Sequence, residues 1–134
     1  MKFYLFLFFF FITCLSHAQE YNAFFIPDSL RKDANVLKRS LEYILTIKSA
    51  SKHSVYEKHV YTILNPSANR FAHYASSYDK FSSINSISGR LYNSMGKQIK
   101  HTKKADWEDK SAYDGFSLLS DARYKENEFY STDY

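Results

Sequence analysis

Apolar and polar side chains alternate most clearly between Leu41 and Lys48. Leu41, Tyr43, Leu45 and Ile47 fall on one face of a two-residue period, and most of the residues between them are polar. A period of two is the spacing of side chains on one face of a β-strand. The pattern therefore predicts a strand over residues 41–48.

A second strand is predicted from Val55 to Leu64, after a turn at Ser49–Lys52. It ends in the apolar run Val60–Leu64, which is typical of a strand that is covered on both faces, as in the middle of a sandwich. The segment Asn65–Asn69 consists of turn-forming residues and ends this strand.

Three further strands are predicted at Phe71–Tyr78, Ile84–Tyr92 and Lys97–Lys103. The last two are joined by the tight turn Asn93–Gly96, in which Gly96 can adopt a positive φ. We therefore expect an antiparallel hairpin with a small bulge at this point.

Short helical turns are predicted at Leu30–Ala34 and at Ala105–Lys110. Together with the strands, they predict a mostly β protein with an antiparallel β-sandwich-like domain, incomplete at its C-terminus. The alternative is an α+β layer in which these turns supply small helices. The expected organisation is a signal peptide at 1–18, a lead-in at 19–40 and one β-rich domain at 41–134.

The first eighteen residues have the three parts of a secretory signal peptide. Lys2 supplies the positive charge, Phe3–Leu15 the apolar core, and Ser16-His17-Ala18 the small-x-small end. The core has about 13 residues, whereas a membrane-spanning helix needs about 20. We expect cleavage between Ala18 and Gln19, no permanent membrane span afterwards, and a periplasmic or extracellular location.

Removal of this segment changes the composition of the chain. Its only cysteine, Cys14, would leave with the signal, which excludes disulfides, thiolate metal sites and a cysteine nucleophile from residues 19–134. The formal net charge of +4 would fall by one with Lys2. So small a basic excess does not indicate a nucleic-acid partner. The 12 tyrosines of the chain favour strands.

No catalytic or phosphate-binding motif can be built from this sequence. The three glycines are isolated, so G-x-S-x-G, G-x-G-x-x-G and the P-loop are all absent. His59 and His73 could face each other on neighbouring strands and bind a metal with Glu57, but ordinary surface histidines are the favoured interpretation. We expect no catalytic residue, no metal site and no cofactor, and hence no enzyme.

A partner surface is expected in two loops, because loops bind partners more often than strands do. Its residues are Tyr78, Asp79, Lys80, Phe81, Asp114 and Phe116. A basic run could also bind a polyanion, although cations that keep a sheet edge soluble would give the same pattern. That run consists of Lys97, Lys100, His101, Lys103 and Lys104. The expected partner is a cell-envelope protein or a glycan.

Five stretches resemble exported bacterial proteins that carry the domain of unknown function 3857: Tyr61–Asn65, Tyr78–Gly89, Leu91–Lys100, Ser111–Leu118 and Asp121–Lys125. In such proteins this β-rich domain precedes a transglutaminase-like domain with a Cys-His-Asp active site. No such segment follows in this sequence, so those catalytic residues have no counterparts here.

The resemblance implies an exported, non-catalytic β domain, expected to be the N-terminal fragment of a transglutaminase-like envelope protein. The alternative is a stand-alone module that binds glycan or peptidoglycan.

Overall fold

The computed structural model describes residues 20–112 and 121–131. These residues form two compact units: a hairpin unit of residues 27–72, and a sheet unit of residues 20–26, 73–112 and 121–131. The predicted signal peptide with its cleavage site at Ala18 and Gln19 lies outside the described residues. Asp114 and Phe116 of the expected partner surface also lie outside them.

The hairpin unit begins with a one-turn helix, α1 (Asp28–Arg31). The sequence predicts this turn later, at Leu30–Ala34, and that position is wrong. Pro27 directly precedes the helix, and its fixed φ suits the start of a helix. Asp33, with φ of 60°, then takes the left-handed conformation that ends helices.

Strands β1 (Val36–Ser49) and β2 (Lys52–Ile63) form a long antiparallel hairpin, which confirms both predicted strands. Their turn consists of Ala50 and Ser51. A 3₁₀ helix at Pro66–Ala72 follows, where the sequence predicts the stop.

Cross-strand pairing places Leu45 opposite Val55 and Tyr43 opposite Glu57, so the predicted alternation of faces is present. The apolar side chains on this face are nevertheless exposed, from 52% for Leu45 to 72% for Ile47. The run Val60–Leu64 is only half-buried, so its predicted cover on both faces is incomplete.

The sheet unit contains a three-stranded antiparallel sheet with the order β3-β7-β6. Its strands are β3 (His73–Tyr78), β6 (Glu108–Ser111) and the central β7 (Arg123–Glu128). The sequence predicts β3 correctly, but it predicts a helical turn over Ala105–Lys110 and no strand at β7. Only a short 3₁₀ helix at Lys104–Asp106 is present, and it ends at Trp107.

A second sheet in this unit is the hairpin β4 (Gly89–Tyr92) and β5 (Gln98–Thr102). Gly96 has a φ of 81° and its amide donates to the Asn93 carbonyl at 2.9 Å, so the predicted turn is confirmed. The register shifts between Leu91 and Tyr92, as a bulge requires. The fourth predicted strand is shorter than expected, because residues 84–88 are not in a strand.

The core of the sheet unit lies around Trp107, which is 6% exposed. Tyr74 and Phe129 meet its ring edge-on, with centroids 6.1 and 6.0 Å away. Thr102, on β5, is 2% exposed and donates its hydroxyl hydrogen to the Gly89 carbonyl. The mostly β fold with antiparallel sheets is thus confirmed. Within the described ranges, no helix has the length and apolar character needed to cross a membrane.

Candidate functional site

One face of the three-stranded sheet carries a cluster of charges centred on Asp109. Its carboxylate accepts hydrogen bonds from the Tyr78 hydroxyl at 2.6 Å, from Arg123 Nε at 2.8 Å and from Lys125 Nζ at 2.8 Å. Arg123 Nε also donates to the Tyr78 hydroxyl oxygen at 3.2 Å. The side chains come from all three strands, so the sheet brings together residues that are distant in sequence. We call these four residues the Asp109 cluster.

The electrostatics of the Asp109 cluster favour its charged forms. Hydrogen bonds from Lys125, Tyr78 and Arg123 hold the pKa of Asp109 well below its ordinary value. The hydrogen bonds with Tyr78 and Asp109 raise the pKa of Arg123. A carboxylate with so low a pKa stays ionised at neutral pH, and it is a poor proton donor or acceptor there.

The opposite face of the same sheet holds a second charge cluster around Glu126. The Lys110 ammonium forms ion pairs with Glu126 and, at 2.9 Å, with Glu108, while His73 Nε2 lies 3.1 Å from Glu126 Oε2. Glu108 and Glu126 are direct cross-strand partners, a repulsive arrangement that the lysine between them offsets. Hydrogen bonds from Lys110 and His73 lower the pKa of Glu126.

The expected partner surface begins at the end of β3 and continues into a tight turn. Tyr78 belongs to the Asp109 cluster. The Asp79 carboxylate accepts from the Ser82 hydroxyl at 2.7 Å and from the Ser82 and Phe81 amides at 2.8 and 2.9 Å, which lowers its pKa. Phe81 is 86% exposed, with Lys80 Nζ 5.0 Å from its ring centroid. The polar groups of this segment therefore shape the turn, and its role in binding stays a prediction.

The two histidines considered as metal ligands pair with different carboxylates. His59 Nε2 lies 3.5 Å from Glu57 Oε2, and His73 pairs with Glu126. Over residues 20–112 and 121–131, no group of three or more His, Cys, Asp or Glu side chains could hold a metal ion. His59 therefore contacts Glu57 of the suggested ligand set, whereas His73 contacts a different carboxylate.

Two lysines of the basic run are used within the sheet unit. Lys100 Nζ donates to the Glu128 carbonyl at 3.1 Å and lies 5.6 Å from the Phe129 ring centroid. Lys104 Nζ donates to the Ile84 carbonyl. These ammonium groups donate to neutral backbone carbonyls, which fixes the positions of the two side chains and leaves their positive charges in place.

Sequence reasoning singles out Tyr78 but misses Asp109, Arg123 and Lys125. Sequence separation explains the omission, since Tyr78 and Asp109 are 31 residues apart. The available signal is the segment Arg123–Glu128, in which two cations and two anions each recur at every second residue. The ion-pair partners of these side chains cannot be predicted without the strand order.

The family model described as "Domain of Unknown Function with solved-structure structure (DUF3857)" matches residues 49–134, which include β2 to β7. The chain belongs to the DUF3857 family. The match begins at Ser49, the last residue of β1, and includes all five stretches that carry the resemblance. No curated protein and no solved structure matches the chain. DUF3857 membership thus places the Asp109 cluster within the matched region but assigns no chemistry to it.

Proposed function

We propose that this DUF3857 chain is an exported, non-catalytic β module that acts by protein contact beside a transglutaminase-like domain. The observation that carries the proposal is the apolar face of the β1–β2 hairpin. Leu41, Tyr43, Leu45 and Ile47 are each more than half exposed, and Val55 on the paired strand is 44% exposed. The other cross-strand partners on this face are polar, namely His53, Glu57 and His59, so the face is a row of exposed apolar side chains bordered by polar ones. Exposed apolar surface with a polar border marks interaction sites.

The state of the acidic groups supports a non-catalytic role. Catalytic acids and bases need pKa values near the working pH, which burial or like charges usually provide. Asp79, Asp109 and Glu126 have lowered pKa values instead, and each is held by hydrogen bonds to neighbouring side chains. These carboxylates act as structural acceptors in the turn and the sheet.

Family membership and the N-terminal sequence support the remaining parts of the proposal. The resemblance implies a transglutaminase-like neighbour as the contact partner. The pattern from Met1 to Ala18 supports export. For the alternative glycan-binding role, the described contacts of the Lys100 and Lys104 ammonium groups are hydrogen bonds to backbone carbonyls, and neither contact favours a glycan.

The protein contact can be tested with matched hairpin variants. A transglutaminase-like domain encoded in the same or a neighbouring reading frame is immobilised, and binding of the full chain is measured. Leu45→Lys places a charge on the apolar face, whereas Thr46→Lys places the same charge on the opposite face of β1. We expect the first variant to lose binding and the second to retain it. Equal retention by both variants, or no binding by the parent chain, contradicts the proposal.

Export is tested separately. The chain is expressed with a C-terminal tag in a bacterial host, and the envelope and cytoplasmic fractions are compared. Mass spectrometry of the envelope form should show Gln19 at the N-terminus, and Ala18→Tyr should block this cleavage. Recovery of uncleaved parent chain from the cytoplasm alone contradicts export.

A further inference from the structure

Three exposed apolar side chains belong to the turn of the β4–β5 hairpin and to the lead-in segment that contacts this turn. Phe24 is 67% exposed, Phe25 is 64% exposed and Met95 is 61% exposed. Met95 lies in the hairpin turn, whereas the two phenylalanines belong to the 3₁₀ helix Ala23–Phe25 of the lead-in. We call these three residues the aromatic tip.

Contacts between the lead-in and the hairpin hold the aromatic tip together. The Tyr21 ring stacks on Tyr92 with centroids 4.4 Å apart, and the Ala23 amide donates to the Ser94 carbonyl at 2.9 Å. Phe24 follows Ala23 directly and Met95 follows Ser94 directly. Neighbouring Cα atoms are about 3.8 Å apart, so the side chains of the tip extend from one small region.

The exposure of Phe24 and Phe25 does not come from a loose chain end. The lead-in is anchored before them by Tyr21 and Ala23, and after them by Ile26, which is 8% exposed. The Asn22 side chain also accepts from the Phe24 amide at 2.8 Å. The backbone is therefore held on both sides of two large apolar side chains that extend outward.

The charge of the hairpin indicates what the aromatic tip contacts. From Ser82 to Ala105 the sequence contains no Asp or Glu, and it contains Arg90, Lys97, Lys100, Lys103 and Lys104. Lys100 and Lys104 bind backbone carbonyls, but Lys97 is exposed two residues from Met95, and Arg90 is exposed on β4. The tip is thus apolar, the hairpin beside it carries exposed cations, and the lead-in adds the exposed anion Glu20 before Tyr21.

An apolar tip beside exposed cations matches the chemistry of an anionic lipid surface. Aromatic and other apolar side chains enter the boundary between headgroups and acyl chains, while Lys and Arg meet the negative headgroups. We propose that the aromatic tip docks the protein on the surface of an anionic bilayer. This contact goes beyond the proposed protein contact and uses a different surface, since all its residues belong to the sheet unit.

The test uses the processed chain recovered from an exporting host. Its binding is measured by co-sedimentation with vesicles of phosphatidylglycerol and phosphatidylethanolamine, and with vesicles of phosphatidylcholine alone. We expect binding to the anionic vesicles that weakens at high salt, because salt screens the cationic contribution. The triple variant Phe24→Ser, Phe25→Ser, Met95→Ser should raise the lipid concentration for half-maximal binding about tenfold or more.

Matched variants separate docking from loss of folding. Phe81→Ser removes an even more exposed aromatic ring of the same unit outside the tip, and it should bind as the parent does. Lys97→Glu leaves the apolar side chains intact and should weaken binding to anionic vesicles only. Leu45→Lys should leave vesicle binding unchanged, so failure of the hairpin contact and failure of lipid docking give different results.

Several outcomes overturn the proposal. These are no binding of the parent chain to anionic vesicles, equal binding by the parent and the triple variant, or equal loss in Phe81→Ser. Retention on peptidoglycan sacculi without vesicle binding also overturns it, and it would assign the cations to a polyanionic glycan.

Discussion

The Tyr78 hydroxyl on β3 donates to the Asp109 carboxylate on β6 at 2.6 Å, although β7 lies between these two strands. Neighbouring strands are about 4.8 Å apart, so this contact spans about two strand spacings. Arg123 and Lys125 of the central strand form ion pairs with the same carboxylate, each at 2.8 Å. The hydrogen bond between Tyr78 and Asp109 therefore links the two outer strands of the sheet across β7.

Removing the hydroxyl should weaken this sheet without disturbing its packing. Tyr78→Phe keeps the ring but leaves Asp109 without one donor. We expect the Tm to fall by about 2–5 °C, the range for one hydrogen bond to a charged group on a partly exposed surface. Circular dichroism melting measures the change. Tyr56→Phe, on the exposed hairpin, is the control and should melt like the parent; an equal fall in both variants contradicts the assigned role.

Acid stability should depend on Asp109 and Glu126. Both carboxyls have pKa values below their ordinary values of 3.8 and 4.5 in the folded chain, so the unfolded chain binds more protons as the medium becomes acidic. Their stabilisation is present above those ordinary values and is lost as the pH falls through the folded values. We expect the Tm of the parent to decrease below about pH 4.5.

The variant Asp109→Asn should lower the Tm at pH 7 and flatten its decrease in acid, because Asn has no proton to bind in this range. Glu128→Gln is the control on the same strand, since Glu128 pairs with His73 in the ladder and its backbone carbonyl accepts from Lys100, and neither contact uses its carboxylate. Thermal unfolding followed from pH 7 to about pH 2 checks both expectations. If the Tm of the parent and of Asp109→Asn decreases equally steeply in acid, the Asp109 carboxylate does not contribute to the pH dependence of stability.

Gly89 should not tolerate even a methyl group. A Cβ at this position would lie inside van der Waals contact of three ring atoms of Phe129. We expect Gly89→Ala to lower the free energy of unfolding by about 1–3 kcal/mol, as overpacking of a core does. Denaturant unfolding measures it. Adding Phe129→Leu to Gly89→Ala should recover part of the loss, and strictly additive effects would contradict a clash between the two residues.

Trp107 should contribute through the volume of its ring and not through its N–H group. Its Nε1 is buried, and among the described residues no acceptor lies at hydrogen-bonding distance from it. Trp107→Ala should lower the free energy of unfolding by about 3–5 kcal/mol. Trp107→Phe should lower it by less than about 2 kcal/mol, because the variant also removes an unsatisfied donor. Equal losses in urea unfolding would indicate a partner for the N–H group.

The strands that the sequence predicts correctly are those whose conformation is indicated by a local pattern of apolar residues or of turn residues. The alternation from Leu41 to Ile47 predicts β1, and the positive φ available to Gly96 predicts the β4–β5 turn. Both depend on neighbours along the chain. The predicted extent of β4 fails at residues 84–88, where two polar residues separate Ile84 from Ile87 and no ladder forms.

Strands β6 and β7 could not be predicted in the same way. Glu108–Ser111 and Arg123–Glu128 are rich in charged residues that have low β-propensity, so their local pattern favours a turn or a surface segment. Cross-strand ion pairs such as Arg123 with Asp109 and Lys110 with Glu126 join these strands, in addition to the backbone ladders. Such pairs can be identified only when the order of the strands in the sheet is known. For the same reason, the Asp109 cluster could not be predicted from the sequence.

The position of β7 at the centre of its sheet sets an order of folding events. His73 and Glu126 are 53 residues apart, so β3 must wait for most of the following chain before it gains its partner. Among the strands of residues 20–112 and 121–131, β6 pairs only with β7. Such non-local pairing slows folding because a long loop has to close first. During synthesis, both outer strands of this sheet therefore stay unpaired until Glu128 has left the ribosome, whereas the local β1–β2 and β4–β5 hairpins can form before β7 has been made.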